Sequence, residues 1–440
     1  MSATALVLAG HGSHISANTA GTVWGYVDSL RRMGLAGEIT ACFRNGAPAF
    51  SQVLATLEAR QVSIVPLFTA NGYFTRQVIP AEIGLSGAVT RIGDKLVHYT
   101  APVGQHPLLD GIVDQRLSDM VGARNLPPAQ TAAAIIGHGT RRNPRSRDAT
   151  RHQAQRIAAK GCFAEVVDAY LDDQPDIPSI YRRTRSRHII ALPYFFAEGS
   201  HVGQDLPNAL GISGDTGGER VQDRYVHFTE PVGTDASICE VILALARTSG
   251  LPFEARTGRG AWDGFPRVGQ GDLLAALEQG ERLRFGPLRL TRERVWHSQN
   301  GDSQAFSSPA ALRTRLRAGT FHPLPTRLDL PGGWHVALAQ TADAHAVLET
   351  VYPGLVSDWS AQRRGALTTE SLAEIGARQV GMFKAIERLP QAVIQRAIDE
   401  ICGACLRQPS WHGVDREMPC RAACNWWLSN ARKNEEKESA

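Results

Sequence analysis

The feature that most restricts what this chain of 440 residues can fold into is an internal repeat. LVLAGHGS around His11 returns as AAIIGHGT around His138, and IVPLFTANGYFTRQVIP around Gly72 returns as IALPYFFAEGSHVGQDLP around Gly199. VHYTAPVG from Val97 returns as VHFTEPVG from Val226. The offsets are 127, 127 and 129 residues, and three segments holding nearly one spacing mark a duplicated domain. In the first copy, short apolar runs at 6–9, 39–43, 64–68 and 97–99 read as buried parallel strands. Between them GTVWGYVDSLRRMG and PAFSQVLATLEARQ carry apolar residues at helical spacing. This alternation implies α/β domains, each with a parallel sheet of about four strands and helices on both faces. Two such tandem copies are expected to form a pseudo-dimer.

Beyond residue 250 the texture changes. TGRGAWDGFPRVGQG is a glycine-rich linker. Residues 272–359 then mix a helical stretch, DLLAALEQGERL, with strand-like LRLTRERVWHS and GWHVALAQ, as a small α+β domain does. From residue 368 the chain reads as helical and ends in the charged tail NARKNEEKESA. The expected division is 1–122 and 123–250 for the two copies, 251–365 for the accessory domain and 366–440 for a helical, cysteine-rich domain.

Basic and acidic residues number 47 and 43, a formal charge of +4. That is not the basic excess used against phosphate, so nucleic acid is not an expected partner. No apolar run approaches the roughly 20 residues of a bilayer span, so neither is a membrane. Cys42, Cys162 and Cys239 stand singly in apolar surroundings and read as core residues, which suits a reducing, cytoplasmic setting. The oligomeric state stays open.

In an open parallel sheet, ligands sit beyond the C-terminal strand ends. His11 and His138 each follow a first strand inside Gly-His-Gly, and His201 follows the third strand of the second copy. Two imidazoles meeting at one sheet edge can ligate a divalent metal and take protons near neutral pH. Histidine phosphatases instead use Arg-His-Gly, whose arginine holds phosphate; Gly10 and Gly137 stand in that place here. Arg141, Arg142, Arg145 and Arg147 follow His138 directly and can clamp carboxylates, Arg141 and Arg142 first for their closeness. His98 and His227, at equivalent places in apolar strands, read as core histidines.

A second constellation is Cys402-x2-Cys405-x14-Cys420-x3-Cys424. Four thiolates in two close pairs suit tetrahedral zinc or a 4Fe–4S cluster. The first pair ends a helical stretch and the second has a three-residue gap beside Trp426 and Trp427, unlike the paired knuckles of a zinc ribbon. The cluster is favoured, with zinc the alternative.

GHGSHISAN, GHGTRRNPRSR, VPLF, GSHVGQDLP and the PVG strand ends resemble the small, class II sirohydrochlorin chelatases, over about residues 1–245. The cysteine module likewise resembles the iron–sulfur tail of longer chelatases of this type. The resemblance implies insertion of Co2+ or Fe2+ into sirohydrochlorin without ATP, in cobalamin or sirohaem biosynthesis. It implies His138 and His201 as the catalytic and metal-binding pair, with His11 as a third catalytic candidate and with Asp205 and the acid Asp172, in expected places, binding substrate beside Arg141 and Arg142. The first copy keeps His11 but has Phe74 for the second histidine, Val78 for the aspartate and Arg44 for the acid. A carrier or sensor of tetrapyrrole or metal, and a cluster-dependent redox protein acting on a macrocycle, are the alternatives.

Overall fold

The computed structural model describes residues 4–400 apart from 13–16, 142, 198, 200, 215–217, 254–263, 286–287, 299–302, 318–332, 368–376, 378–389 and 398. The four cysteines of the C-terminal module, and most of the helical region around them, lie outside the described residues.

Both copies are α/β, and their sheets are built alike. In the first, β1 (Thr4–Gly12), β2 (Glu38–Asn45), β3 (Gln61–Pro66), β4 (Val89–Ile92) and β5 (Lys95–Tyr99) lie in the order β2-β1-β3-β5-β4. In the second, β6 (Thr131–Gly137), β7 (Glu165–Tyr170), β8 (His188–Pro193), β9 (Glu219–Val221) and β10 (Arg224–Phe228) lie in the order β7-β6-β8-β10-β9. The expected parallel strands are present: β1 pairs β2, β3 pairs β5, and β6 pairs both β7 and β8, all parallel. Each sheet has a fifth strand, antiparallel at one edge. Apolar runs could not reveal it, because Val89 and Arg91 are exposed and β9 is only three residues long.

The register ties chemistry to the strand ends. Gly10 pairs with Phe43 and Gly137 with Tyr170, so the structural offset here is again 127 residues. The helix expected from PAFSQVLATLEARQ shrinks to a single 3-10 turn, Val53–Thr56. The buried Glu38 carboxylate accepts the backbone N–H groups of Glu58 and Ala59 at 3.1 and 2.7 Å, which takes those donors out of any helix. Glu165 does the same one repeat later, accepting from the Arg185 and Ser186 amides. GTVWGYVDSLRRMG does fold as expected, within the helix Ala17–Met33.

The accessory domain is α+β, as its texture implies. Strands β11 (Leu283–Phe285), β12 (Leu288–Leu290), β13 (Arg294–Ser298), β14 (Gln304–Phe306) and β15 (Gly333–Ala337) run in the order β11-β12-β13-β15-β14. Helices Gln270–Glu278, Asp343–Val351 and Leu355–Arg363 set Leu273, Leu277, Val347, Leu348 and Leu355 into one core with Phe285 and Trp334. The linker before it is stitched to the first sheet: Gly264 bridges Glu38, and the Arg31 guanidinium lies 3.9 Å above the Phe265 ring. His345 stands edge-on to Phe265, 6.3 Å away.

The described residues within 1–64, 77–99 and 251–440 form one compact unit, and those within 65–76 and 100–250 form the other. Cys42 and Cys239 are buried, but Cys162 is exposed. It follows Gly161, the left-handed C-cap of the helix Asp148–Lys160, and so sits in a surface turn and not in the core.

Candidate active site

The second copy gathers its histidines at the C-terminal edge of its sheet. β6 ends at Gly137, where a Cβ would strike the Thr150 hydroxyl. Gly139 has φ of +64° and lies against Tyr170 and Asp173, so only glycine turns the chain there without strain. His138, held between them, donates from Nδ1 to its neighbour's carbonyl, Gly139 O, at 2.7 Å. That bond commits Nδ1 as a donor and leaves Nε2 as the nitrogen available to a ligand. The Asp172 carboxylate lies 3.7 Å from this Nε2.

His201 opens a π-helical turn, His201–Asp205, that runs into the short helix Leu206–Leu210. Single π turns recur at functional sites. This one sets His201 and Asp205 on one face, where Nδ1 donates to Asp205 Oδ2 at 2.7 Å. A carboxylate behind an imidazole fixes its tautomer and orientation, leaving Nε2 as the reactive nitrogen. The His138 and His201 rings meet edge-on, 5.1 Å between centroids and 88° between planes. Both side chains are nearly half exposed, at 43% and 49%, so solvent and a large ligand can reach them. Among the described residues no group of three His, Cys, Asp or Glu side chains is placed to hold a metal ion.

A cleft of about 600 Å³ adjoins His138, lined by Thr140, Arg141, Leu171, Asp172, Asp173 and Asp176 among others. Arg141 is exposed at its rim; Arg142 lies outside the described residues. Arg147, the last arginine of the run, is committed elsewhere. It bonds the Gln174 carbonyl at 2.9 Å and lies 3.4 Å from Asp173, and so pins the loop down. Below it the buried Tyr170 hydroxyl donates to Asp168 at 2.7 Å, and burial followed by that carboxylate raises its pKa.

The first copy repeats the frame with one histidine in place of two. His11 is the penultimate residue of β1 and is bonded to Gly12 O at 2.9 Å, as His138 is to Gly139 O. Phe74 and Val78 bound the matching π turn, Phe74–Val78. The register corrects one equivalence: Gly12 pairs with Asn45, so Asn45 and not Arg44 stands at the position of Asp172. Arg44 matches Leu171, and its buried side chain forms an ion pair with Glu82, the match of Ala209. Leu171 and Ala209 pack against the second copy's core, so a charged pair has replaced an apolar one.

Sequence reasoning passed over Phe195, whose ring is 6.3 Å from that of His138, and the Tyr194 hydroxyl, which donates to Gly104 O at 2.9 Å. The repeated PVG held the signal. Gly104 and Gly233 leave no room for a Cβ against the backbones of Thr69 and Phe196, which carry the loops after β3 and β8. His227 is buried as expected; burial, with the neighbouring His188 and Arg124 charges, lowers its pKa to about 4. His98 is only half-buried.

Comparison with known proteins agrees with this architecture. The chain matches the CbiX family twice, over residues 5–120 and 132–249. It matches the DR2241 stabilising domain over 269–363 and the 4Fe-4S iron-sulfur cluster binding domain over 364–433. It is 32% identical over 270 residues to a probable sirohydrochlorin cobaltochelatase of Halobacterium salinarum, covering 56% of this chain and 92% of that protein. It is 26% identical over 145 residues to a sirohydrochlorin cobaltochelatase of Methanococcus maripaludis, covering 27% of this chain and 99% of that one. The crystal structure of DR2241 from Deinococcus radiodurans superposes with a TM-score of 0.76 at 25% identity, covering 99% of both chains. That structure is described as multi-domain, similar to chelatases and with two additional novel domains. By its two matched units and its relatives, this chain belongs to the CbiX family of sirohydrochlorin chelatases.

Proposed function

We propose that this protein inserts a divalent metal, Co2+ or Fe2+, into sirohydrochlorin or a closely related tetrapyrrole, as an ATP-independent lyase, with the second copy as its working site. The observation that carries this reading is the edge-on pairing of His138 and His201, each with Nδ1 committed and Nε2 left as the reactive nitrogen. Metalation must strip water from the ion and remove two pyrrole protons from the ring. An imidazole serves both needs, as a labile ligand and as a base near neutral pH. Two protein ligands leave the ion's other positions to water and the ring nitrogens, so it is handed over and not trapped. Asp205 orients His201, Asp172 attracts the incoming cation beside His138, and Arg141 and Arg142 hold the macrocycle's peripheral carboxylates. The cobaltochelatase relatives support cobalt as the first ion to test.

Cys402, Cys405, Cys420 and Cys424 offer the four thiolates that a 4Fe–4S cluster takes, within the matched 364–433 segment. When bound, the cluster supplies one-electron redox capacity, and such thiolates need a reducing compartment, which supports a cytoplasmic setting. On this reading the working division is 1–122, 123–250, 251–365 and 366–440. Among the described residues no helix is long and apolar enough to cross a membrane.

The test is anaerobic steady-state metalation of sirohydrochlorin by Co2+, Fe2+ and Ni2+ in turn, without ATP. Turnover above the uncatalysed rate with Co2+ or Fe2+ is expected. Binding of the macrocycle with no acceleration for any ion would contradict the enzyme reading and leave a carrier. Protein purified without oxygen should be brown, with a broad visible absorption that dithionite bleaches. Stoichiometric zinc without iron or sulfide would overturn the cluster assignment.

A further inference from the structure

The loop that follows β3 belongs to the first repeat in sequence but to the second copy in space. Val65–Arg76 packs as one compact unit with Thr100–Gly250. The joints are specific. Gly104 N donates to Phe68 O at 2.9 Å, and Gly104 O accepts from the hydroxyl of Tyr194, the residue before Phe195 at the site. Gly72 lies against the Asn143 side-chain amide, in the loop that starts at His138.

At the positions where the second copy has Phe195 and His201, this loop carries Phe68 and Phe74. Their rings stack, 5.7 Å between centroids and 17° between planes, and Tyr73 meets Phe74 edge-on at 6.4 Å. All three are half-buried and none is sealed in the core. The three rings thus cluster outside the core, on a loop that packs in the same compact unit as His138 and His201, and a cluster of partly exposed aromatic surface is the kind that takes a ligand.

We propose that the loop Phe68–Phe74 is the apolar wall of the second-copy site, its aromatic rings lying against one face of the tetrapyrrole while His138 and His201 act on the metal and ring nitrogens. A conjugated macrocycle has charged groups only at its rim. Its faces are flat and apolar and gain most from flat aromatic surface. Loss of the second histidine from the first repeat is then an exchange of function: a ligand position has become a stacking position. This inference rests on the chelatase reading.

The experiment measures binding of metal-free sirohydrochlorin to the full-length protein, anaerobically, by quenching of the macrocycle's fluorescence, for wild type, Phe74→Leu and Phe74→Tyr. Leucine keeps bulk and burial but not the flat ring; tyrosine keeps the ring. Phe74→Leu should weaken binding about tenfold, while Phe74→Tyr stays near wild type. In turnover the apparent KM for sirohydrochlorin should rise with that for Co2+ unchanged. Wild-type binding with Phe74→Leu unaffected would overturn the aromatic wall and leave the chelatase reading standing. No binding by wild type would overturn the chelatase reading and the wall with it.

Discussion

His201 meets His138 edge-on at 5.1 Å, and its own Nδ1 is held by Asp205 Oδ2 at 2.7 Å. The pair is therefore oriented from behind on one side only, since His138 leans on its neighbour's carbonyl, Gly139 O, and has no carboxylate bonded at Nδ1. Both side chains stand in solvent, so their orientation depends on these bonds more than on packing.

Asp205→Ala should lower kcat by about 10- to 100-fold, the usual cost of removing the partner that orients a metal-binding imidazole. The KM for the macrocycle should change little, and Asp205→Asn should retain more activity because its amide oxygen still accepts from Nδ1. Steady-state kinetics with circular dichroism decides this. Wild-type kcat in Asp205→Ala would show that the bond does not orient His201.

The Arg44–Glu82 ion pair replaces an apolar arrangement, Leu171 and Ala209, found one repeat later. Removing one partner strands a buried charge, so Arg44→Leu should destabilise the protein by about 3–5 kcal/mol. The double variant Arg44→Leu, Glu82→Ala, which restores the second copy's residues, should recover most of that loss. Urea unfolding followed by circular dichroism measures both. Additive losses would contradict the pairing argument.

His345 is 2% exposed beneath the linker, and burial, reinforced by the nearby Arg31 and Arg267 charges, lowers its pKa to about 3. The unfolded chain binds a proton there near about pH 6.5 and the folded chain does not. Stability from this group is complete above that pH and is lost as pH falls toward about 3, at roughly 1.4 kcal/mol per unit. His345→Leu should flatten the fall in denaturation midpoint between pH 6.5 and 4.5, a window set by that shift. An unchanged slope would mean that His345 protonates readily in the folded protein.

The parallel strands, the helix Ala17–Met33 and the strand-end positions of His138 and His201 were legible because each rests on a local pattern: short apolar runs, apolar residues at helical spacing, and turn residues directly after a strand. What the sequence hid depends on long-range contacts. Glu38 and Glu165 look like ordinary surface acids, yet each gathers backbone amides about 20 residues away, and at Glu38 those amides are withdrawn from the helix that the apolar spacing predicts. Arg44 looked like a substituted acid until register showed Asn45 in that place. Arg147 reads as one more free arginine beside His138, and only its bond to Gln174 O shows that it is spent on the loop. The aromatic character of Phe68 and Phe74 was plain, but not that their loop packs with the other copy.

Whether the second copy does the chemistry is decided by the anaerobic metalation rates of His138→Ala, His201→Ala and His11→Ala, each shown to be folded by circular dichroism. A phenyl ring neither binds metal nor takes a proton, so the first repeat, with Phe74 at the matching position, lacks half of the chemistry. His138→Ala and His201→Ala should each slow turnover by at least about 100-fold, the scale of a lost general base, and His11→Ala by about tenfold or less. A dead His11→Ala beside a His138→Ala that keeps wild-type turnover would place the working site in the first copy and not in the second.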